Sequence, residues 1–204
     1  MHRKALRWIQ TLLILFVVAV LPVVAGAATL EVVPSASEAR YRVREQLAGV
    51  PFPNDAVGTT QSVNGTIALD GEGRPVPGSK FTVDLRSLRS DEERRDNYLR
   101  ERTLTTARFP YAEFVPREIR GLPFPLPGAG HATVQLLGDL TIRGVTRPTT
   151  WEGTVEFRGS TIRLQARTAF TFADFELTQP RVMSVLSIED RIRLEVDLTL
   201  RPAS

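Results

Sequence analysis

The sequence contains no cysteine, so disulfide bonds, thiolate metal sites and cysteine nucleophiles are all excluded. Histidine is almost as scarce, with His2 near the start and His131 in the rest of the chain. No Gly-x-Ser-x-Gly motif supplies a nucleophile for His131, and we interpret this residue as an exposed polar group. Because no nucleophile is paired with a base, we predict a protein that is not an enzyme and binds neither metal nor cofactor.

A surplus of positive charge is also lacking outside the N-terminus. The sequence contains 26 Lys and Arg residues and 23 Asp and Glu residues. Three of the basic residues lie in the first 27 positions, which contain no acidic residue. The remaining 23 bases therefore balance 23 acids. Proteins that bind nucleic acid need an excess of basic groups to neutralise phosphates, so we predict that nucleic acid is not a partner.

The N-terminal segment contains the long hydrophobic run of this sequence. Three bases precede an apolar stretch from Leu12 to Leu21, and Ala25 and Ala27 then offer the small residues that a signal peptidase recognises. This pattern is typical of a secretory signal peptide, which we place at residues 1–27. We therefore predict a periplasmic or secreted protein with no transmembrane segment after cleavage. An uncleaved anchor is the alternative, since the wider run from Leu12 to Ala28 has 17 residues and is at the lower length limit for a membrane span.

Residues 28–204 are dominated by apolar residues at every second position, the pattern of half-buried strands. The clearest case is Ile192–Leu200, where apolar residues occupy one face and charged residues the other. Similar rows occur at Val63–Leu69, Phe81–Leu85, Ala132–Ile142, Trp151–Phe157 and Ile162–Phe172, and weaker rows occur at Tyr41–Val43 and Tyr111–Val115. Eight such rows separated by turn signals predict one all-β domain of eight antiparallel strands, either a barrel or a sandwich.

One segment between the third and fourth predicted strands breaks the alternation. Ser90–Glu93 matches a capping box, with Ser90 as the N-cap and Glu93 reaching back to its amide, which predicts a short helix over about Asp91–Leu99. Seven arginines lie between positions 86 and 108, interleaved with five acids. They indicate either a solvated, salt-bridged helix or a basic rim that receives an anionic headgroup.

Several motifs resemble those of the YceI-like family of exported lipid-binding proteins. The strongest is Gly138–Pro148, which reads Gly-Asp-Leu-Thr-Ile-Arg-Gly-Val-Thr-Arg-Pro, and the helix segment Arg95–Leu99 and the segment Phe109–Phe114 add to it. The resemblance covers Ala39–Leu200. It implies an extended, lipocalin-like barrel that carries a long isoprenoid, a quinone-like molecule or another amphiphilic lipid. This chain departs from the family in Tyr98, where many members have histidine, and in the segment at residues 45–58.

The inward rows predict which side chains would line such a ligand. The predicted apolar wall consists of Phe81, Val83, Phe114, Leu140, Ile142, Trp151, Leu164, Phe170 and Phe172. Arg95 and Tyr98, at a mouth of the barrel, are the predicted headgroup contacts. Small inward residues at Gly65, Gly138, Gly153 and Ala166 are expected to leave room for the ligand. The alternative is a structural or interaction module whose barrel is filled by side chains, and a homodimer stays open for either function.

Overall fold

The computed structural model describes residues 26–181 and 185–203. The predicted signal peptide lies outside the described residues except for its last two positions, so its cleavage stays a prediction. Within the described part of the chain, no helix has both the length and the apolar character needed to cross a membrane.

Ten antiparallel strands account for most of the structure. Their bounds are β1 (Ala28–Val32), β2 (Glu38–Leu47), β3 (Asn54–Thr60), β4 (Val63–Leu69), β5 (Lys80–Asp84), β6 (Tyr111–Arg120), β7 (Ala129–Ile142), β8 (Val145–Arg158), β9 (Thr161–Phe170) and β10 (Val185–Pro202). The helical elements are α1 (Glu93–Tyr98), a π-helical turn (Leu99–Thr103) that continues it, and 3-10 turns at Pro34–Ala36, Leu85–Ser87 and Ala173–Phe175. The predicted all-β class with one short helix is therefore confirmed.

Eight of these strands close a barrel in the order β1, β4, β5, β6, β7, β8, β9, β10. Closure occurs because β1 also pairs with the end of β10, with Leu30 opposite Pro202 and Val32 opposite Leu200. An earlier part of β10 pairs with β2, and β3 pairs with β2 on its far side. The β2–β3 hairpin thus extends the wall beyond the end of β1. The sequence analysis predicted neither β1 nor β3.

The end of the barrel where β1 closes is filled by side chains. Its buried apolar residues are Leu30, Val32, Ile67, Leu69, Val134, Val155, Phe157, Ile162 and Leu200. The connection between β6 and β7 adds Leu122, Phe124 and Leu126, which pack against this core. Close packing of this kind leaves no room for a ligand inside this end, so a ligand held in the barrel interior would lie in the other half.

The inward glycines do not create the room that we expected of them. A Cβ added at Gly65 would lie 2.7 Å from a ring carbon of Phe81, and one at Gly138 would lie 2.8 Å from the Phe114 ring. At Gly153 the Cβ of Ala166 comes equally close, at 2.9 Å. The expectation is wrong for these three glycines, because neighbouring backbone and side-chain atoms already occupy the space where a side chain would lie. Ala166, the fourth small residue, does line the cavity.

The predicted capping box at the start of the helix is also wrong. The N-cap of α1 is Glu92, whose carboxylate accepts a hydrogen bond from the Arg94 backbone N–H at 3.1 Å. The Ser90 hydroxyl instead donates to Asp96 Oδ1 at 2.7 Å, and the Ser90 backbone N–H donates to both oxygens of the same carboxylate. Asp96 is buried, with 4% of its surface exposed, and a buried carboxylate requires these donors.

Candidate functional site

The half of the barrel at the α1 end is hollow. It contains a cavity of about 900 Å³ that opens to the surface between the β2–β3 hairpin, the start of β10 and α1. A cavity of this size is within the roughly 300–1,000 Å³ range of small-molecule sites. The wall includes all nine predicted residues, namely Phe81, Val83, Phe114, Leu140, Ile142, Trp151, Leu164, Phe170 and Phe172. Their contact with a ligand stays a prediction.

Aromatic rings form part of the cavity wall. Trp151 on β8 points inward, as the alternation predicts, and 7% of its surface is exposed. Its ring centroid lies 5.8 Å from that of Phe114, at an angle of 59°. Phe170 on β9 packs edge-on against Phe175, with centroids 4.5 Å apart. These packed pairs fix the rings in place, so the shape of this part of the wall is preformed.

Further apolar side chains on the wall are only half buried, because the cavity lies beside them. They include Val43 on β2, Ala112 on β6, and Leu194 and Val196 on β10. The sequence analysis placed Val43, Leu194 and Val196 on inward rows without assigning them to a site. Ala56 on β3 also lines the cavity, and its strand lacks the apolar alternation that would have identified it.

The helix α1 covers part of the opening and is fixed to β2 by an ion pair. Arg95 and Tyr98 both lie on the cavity wall, where the predicted headgroup contacts were placed. Arg95 Nη2 donates to Glu45 Oε1 at 2.9 Å, and Nη1 donates to Asp91. The Glu45 side chain is 7% exposed, so this pair is largely removed from water. The positive charge of Arg95 is therefore already balanced by two carboxylates.

Tyr41 on β2 lies beside this ion pair. Its ring lies against Gly58 on β3, where any side chain would overlap it. Burial raises the pKa of Tyr41 to about 12, an effect that the nearby Arg95 guanidinium opposes. Among the described residues, Tyr41 Oη neither accepts nor donates a hydrogen bond. The phenol is thus an uncharged hydroxyl in the wall at neutral pH.

The remaining side chains that could act as a base or bind a metal ion lie outside the cavity or are not clustered. His131, on β7, is exposed. Across residues 26–181 and 185–203, no group of three or more His, Asp or Glu side chains is placed to hold a metal ion.

Residues 30–200 match the YceI-like domain over nearly the whole barrel. The chain belongs to the YceI-like family. The resemblance on which the sequence analysis relied is therefore confirmed.

Two curated relatives are UPF0312 proteins of Pseudomonas species. The chain is 29% identical over 136 residues to the protein of Pseudomonas putida strain W619, a match that covers 62% of this chain and 66% of the relative. It is 30% identical over 132 residues to that of Pseudomonas fluorescens strain SBW25, which covers 60% of this chain and 64% of the relative. In each case the match spans slightly less than two thirds of the relative's length.

Solved structures share the fold at low sequence identity. A polyisoprenoid binding domain from Saccharophagus degradans, implicated in plant cell wall breakdown, has a TM-score of 0.67 at 15% identity, with coverage of 86% of this chain and 99% of that one. BcnA of Burkholderia cenocepacia has a TM-score of 0.63 at 17% identity, with coverage of 82% and 98%. At these identities the similarity establishes the YceI-like barrel and nothing beyond the fold.

Proposed function

We propose that this YceI-like protein is an exported, non-catalytic carrier that holds an isoprenoid, a quinone-like molecule or another amphiphilic lipid in its cavity. The observation that carries the proposal is the open, apolar cavity of about 900 Å³ in an otherwise packed barrel. The polyisoprenoid binding domain of Saccharophagus degradans, which has the same fold, supports the choice of ligand class. The predicted signal peptide supports export.

Burial of hydrocarbon supplies the affinity in this proposal. Each buried methylene is worth about 0.8 kcal/mol, so a five-carbon isoprene unit contributes about 4 kcal/mol when it leaves water. Association costs about 4–15 kcal/mol in lost freedom, and about four buried units offset even the upper figure. The ligand is therefore expected to be long, with its tail against Trp151 and Phe114 and its head at the α1 end.

The alternative, an interaction module with a filled barrel, requires an interior without a cavity. Only the β1 end of the described barrel meets that requirement. A hollow interior lined by apolar side chains costs stability unless a ligand or water occupies it. The hollow half therefore favours the carrier.

The direct test is mass spectrometry under native conditions on the full-length gene product as an expressing bacterium produces it. The carrier predicts a non-covalent mass adduct that solvent extraction releases and identifies as a long-chain lipid. If the purified protein carries no adduct and acquires none on incubation with isoprenols or quinones, the proposal is wrong. Fractionation of the same cells tests export, which requires the protein in the periplasm or medium without residues 1–27.

A further inference from the structure

An exposed apolar surface borders the opening of the cavity. Five large apolar side chains are exposed among the described residues, and three of them, Val50, Phe52 and Leu186, lie at the cavity end of the barrel. Phe52 is 75% exposed and Leu186 is 68% exposed. Val50 also lines the cavity, so this surface is continuous with the cavity wall. We call these three residues the apolar rim.

Two neighbouring segments form the apolar rim. Val50 and Phe52 belong to the loop between β2 and β3, and Leu186 lies at the start of β10. These segments are adjacent because Val185 pairs with Leu47 at the end of β2. Leu186 falls at a shift in the pairing register between β10 and β2, where it is the extra residue of a bulge.

The backbone of the loop is restrained, although its side chains are exposed. The Gln46 side-chain amide donates to the carbonyls of Leu47 and Val50, and the Val50 backbone N–H donates to the Leu47 carbonyl at 3.3 Å. Prolines on both sides of Phe52 restrict its backbone further. The loop therefore presents the Phe52 ring to the surroundings of the protein without a large loss of freedom on contact.

The chemistry of the surface favours an uncharged apolar partner. No charged residue occurs between Glu45 and Asp55 in the sequence. On the other side of the opening, the lining residues Asp91, Glu92 and Arg94 carry charges of both signs. Neither part of the opening therefore attracts a partner through a strong charge of one sign. Exposed apolar patches on soluble domains mark contacts with proteins, ligands or membranes.

We propose that the apolar rim docks this protein onto the surface of a lipid bilayer, with the cavity opening against the membrane. The inference rests on the proposed function, because a carrier of a long isoprenoid or similar lipid has to exchange it with a membrane. Since the apolar rim is continuous with the cavity wall, a bilayer that covers it also covers the opening, and the lipid tail passes between the two without crossing water. Three side chains provide weak, reversible attachment, as a carrier that leaves the membrane again requires.

Flotation of the full-length product, purified without detergent, with phosphatidylcholine vesicles tests the docking. We expect binding that is equal at low and high salt, because the contact is apolar. Phe52→Ser should weaken it at least about tenfold, and Leu186→Ser should act in the same direction. Neither residue lines the cavity, so both variants should take up farnesol from solution as the wild type does. Val115→Ser is the matched control, because Val115 is an exposed apolar residue of β6 away from the cavity lining.

The outcomes separate the docking from lipid carriage. If the wild type takes up farnesol but does not bind the vesicles, or if Phe52→Ser binds them as tightly as Val115→Ser does, the inference is wrong and the carrier stands. A dimer in analytical ultracentrifugation that Phe52→Ser dissociates, without vesicle binding, would instead assign the apolar rim to a second copy of this chain. If the wild type does not take up farnesol, the proposed function fails and the inference falls with it.

Discussion

The Arg143 side chain donates hydrogen bonds to one residue in each of two other loops, and all three residues have a positive φ. Its Nε donates to Thr105 Oγ1 at 3.1 Å, and its Nη1 donates to the Glu176 carbonyl at 2.9 Å. These three residues have φ values of 52°, 51° and 53°, in the left-handed region that side chains rarely adopt. Strained positions of this kind persist where surrounding contacts hold them. Arg143 thus fastens the segment after the π-helical turn and the loop before β10 to the β7–β8 hairpin.

Arg143→Lys is expected to lower the free energy of unfolding by about 2 kcal/mol, because a lysine cannot make both hydrogen bonds in the arginine's planar geometry. Both side chains are unbranched, so the strain at φ 52° is the same in each. Urea denaturation measures the change. Arg147→Lys is the control, since Arg147 is exposed and its Nη2 lies 3.7 Å from Glu176 Oε1. This change should lower the free energy of unfolding by less than about 0.5 kcal/mol. Equal effects of the two changes would contradict the role of Arg143.

The Gly138–Pro148 motif, which best identified the family, is explained by this hairpin. Arg143 and Gly144 form its two-residue turn with φ values of 52° and 78°, the backbone that such turns require. The positive φ of Gly144 could be predicted from sequence. The side-chain contacts of Arg143 could not, because its partners are 38 and 33 residues away in the chain.

The last strand shows what alternation reveals and what it does not. The inward positions of β10 read as one uniform apolar row, and the structure places this row inward. Leu200 is nevertheless 4% exposed in the packed end, whereas Leu194 is half buried on the cavity wall. Alternation specifies the direction of a side chain and carries no information on what lies opposite it. Alternation alone therefore could not show where along the barrel the cavity lies.

One of the two strands that sequence reasoning missed, β3, has a weak signal for an identifiable reason. The inward positions of β3 are Ala56, Gly58 and Thr60, which are not hydrophobic enough to form an apolar row. Gly58 has no side chain because the Tyr41 ring lies there. The small inward residues of β3 are explained by tertiary packing, which cannot be read from a short window of sequence.

The buried carboxylate of Asp96 leads to a second prediction. Asp96→Ala leaves the Ser90 backbone N–H and hydroxyl without their acceptor and is expected to lower the free energy of unfolding by about 2 kcal/mol. A capping box would instead make Glu93 important. Glu93 is exposed, and Glu93→Ala should change stability by less than about 0.5 kcal/mol. Thermal or urea unfolding of the two variants decides between these accounts, and a larger loss in Glu93→Ala than in Asp96→Ala would contradict the role of Asp96 and favour the capping box.

The raised pKa of Tyr41 predicts that the protein loses stability in alkaline solution. Its pKa is raised by burial from 10.0 to about 12, so the folded state retains the phenolic proton more strongly than the unfolded state. The resulting stability is fully present below pH 10 and is lost as the pH rises from 10 to about 12, by about 2–3 kcal/mol in total. Urea denaturation at several pH values in this window should show a steeper decline for the wild type than for Tyr41→Phe.

Tyr111→Phe is the control for that experiment, since Tyr111 is an exposed residue at the start of β6. Its alkaline profile should follow that of the wild type. If Tyr41→Phe and the wild type lose stability in parallel, the phenol is not the group that titrates.

A pair of adjacent residues on β9 tests where the lipid lies. Leu164 is buried on the cavity wall, whereas the Gln165 amide donates to Asp197 at 3.0 Å on the outer face. In a Trp8→Phe background Trp151 is the remaining tryptophan, and its emission should be blue-shifted and should change when an isoprenol enters. Leu164→Arg is expected to abolish that change, because an unpaired charge in an apolar wall is strongly unfavourable and excludes the tail. Gln165→Arg should bind as the wild type does.

Leu164→Arg could lose binding through unfolding, so a second change fills the cavity without a charge. Leu194→Trp places a larger apolar side chain at a half-buried position of the wall. The folded variant, verified by circular dichroism, should bind long isoprenols at least about tenfold more weakly, since part of the tail loses its place. Shorter isoprenols should lose less affinity, because they need less of the volume. If folded Leu194→Trp binds every chain length with wild-type affinity, the tail does not occupy this cavity.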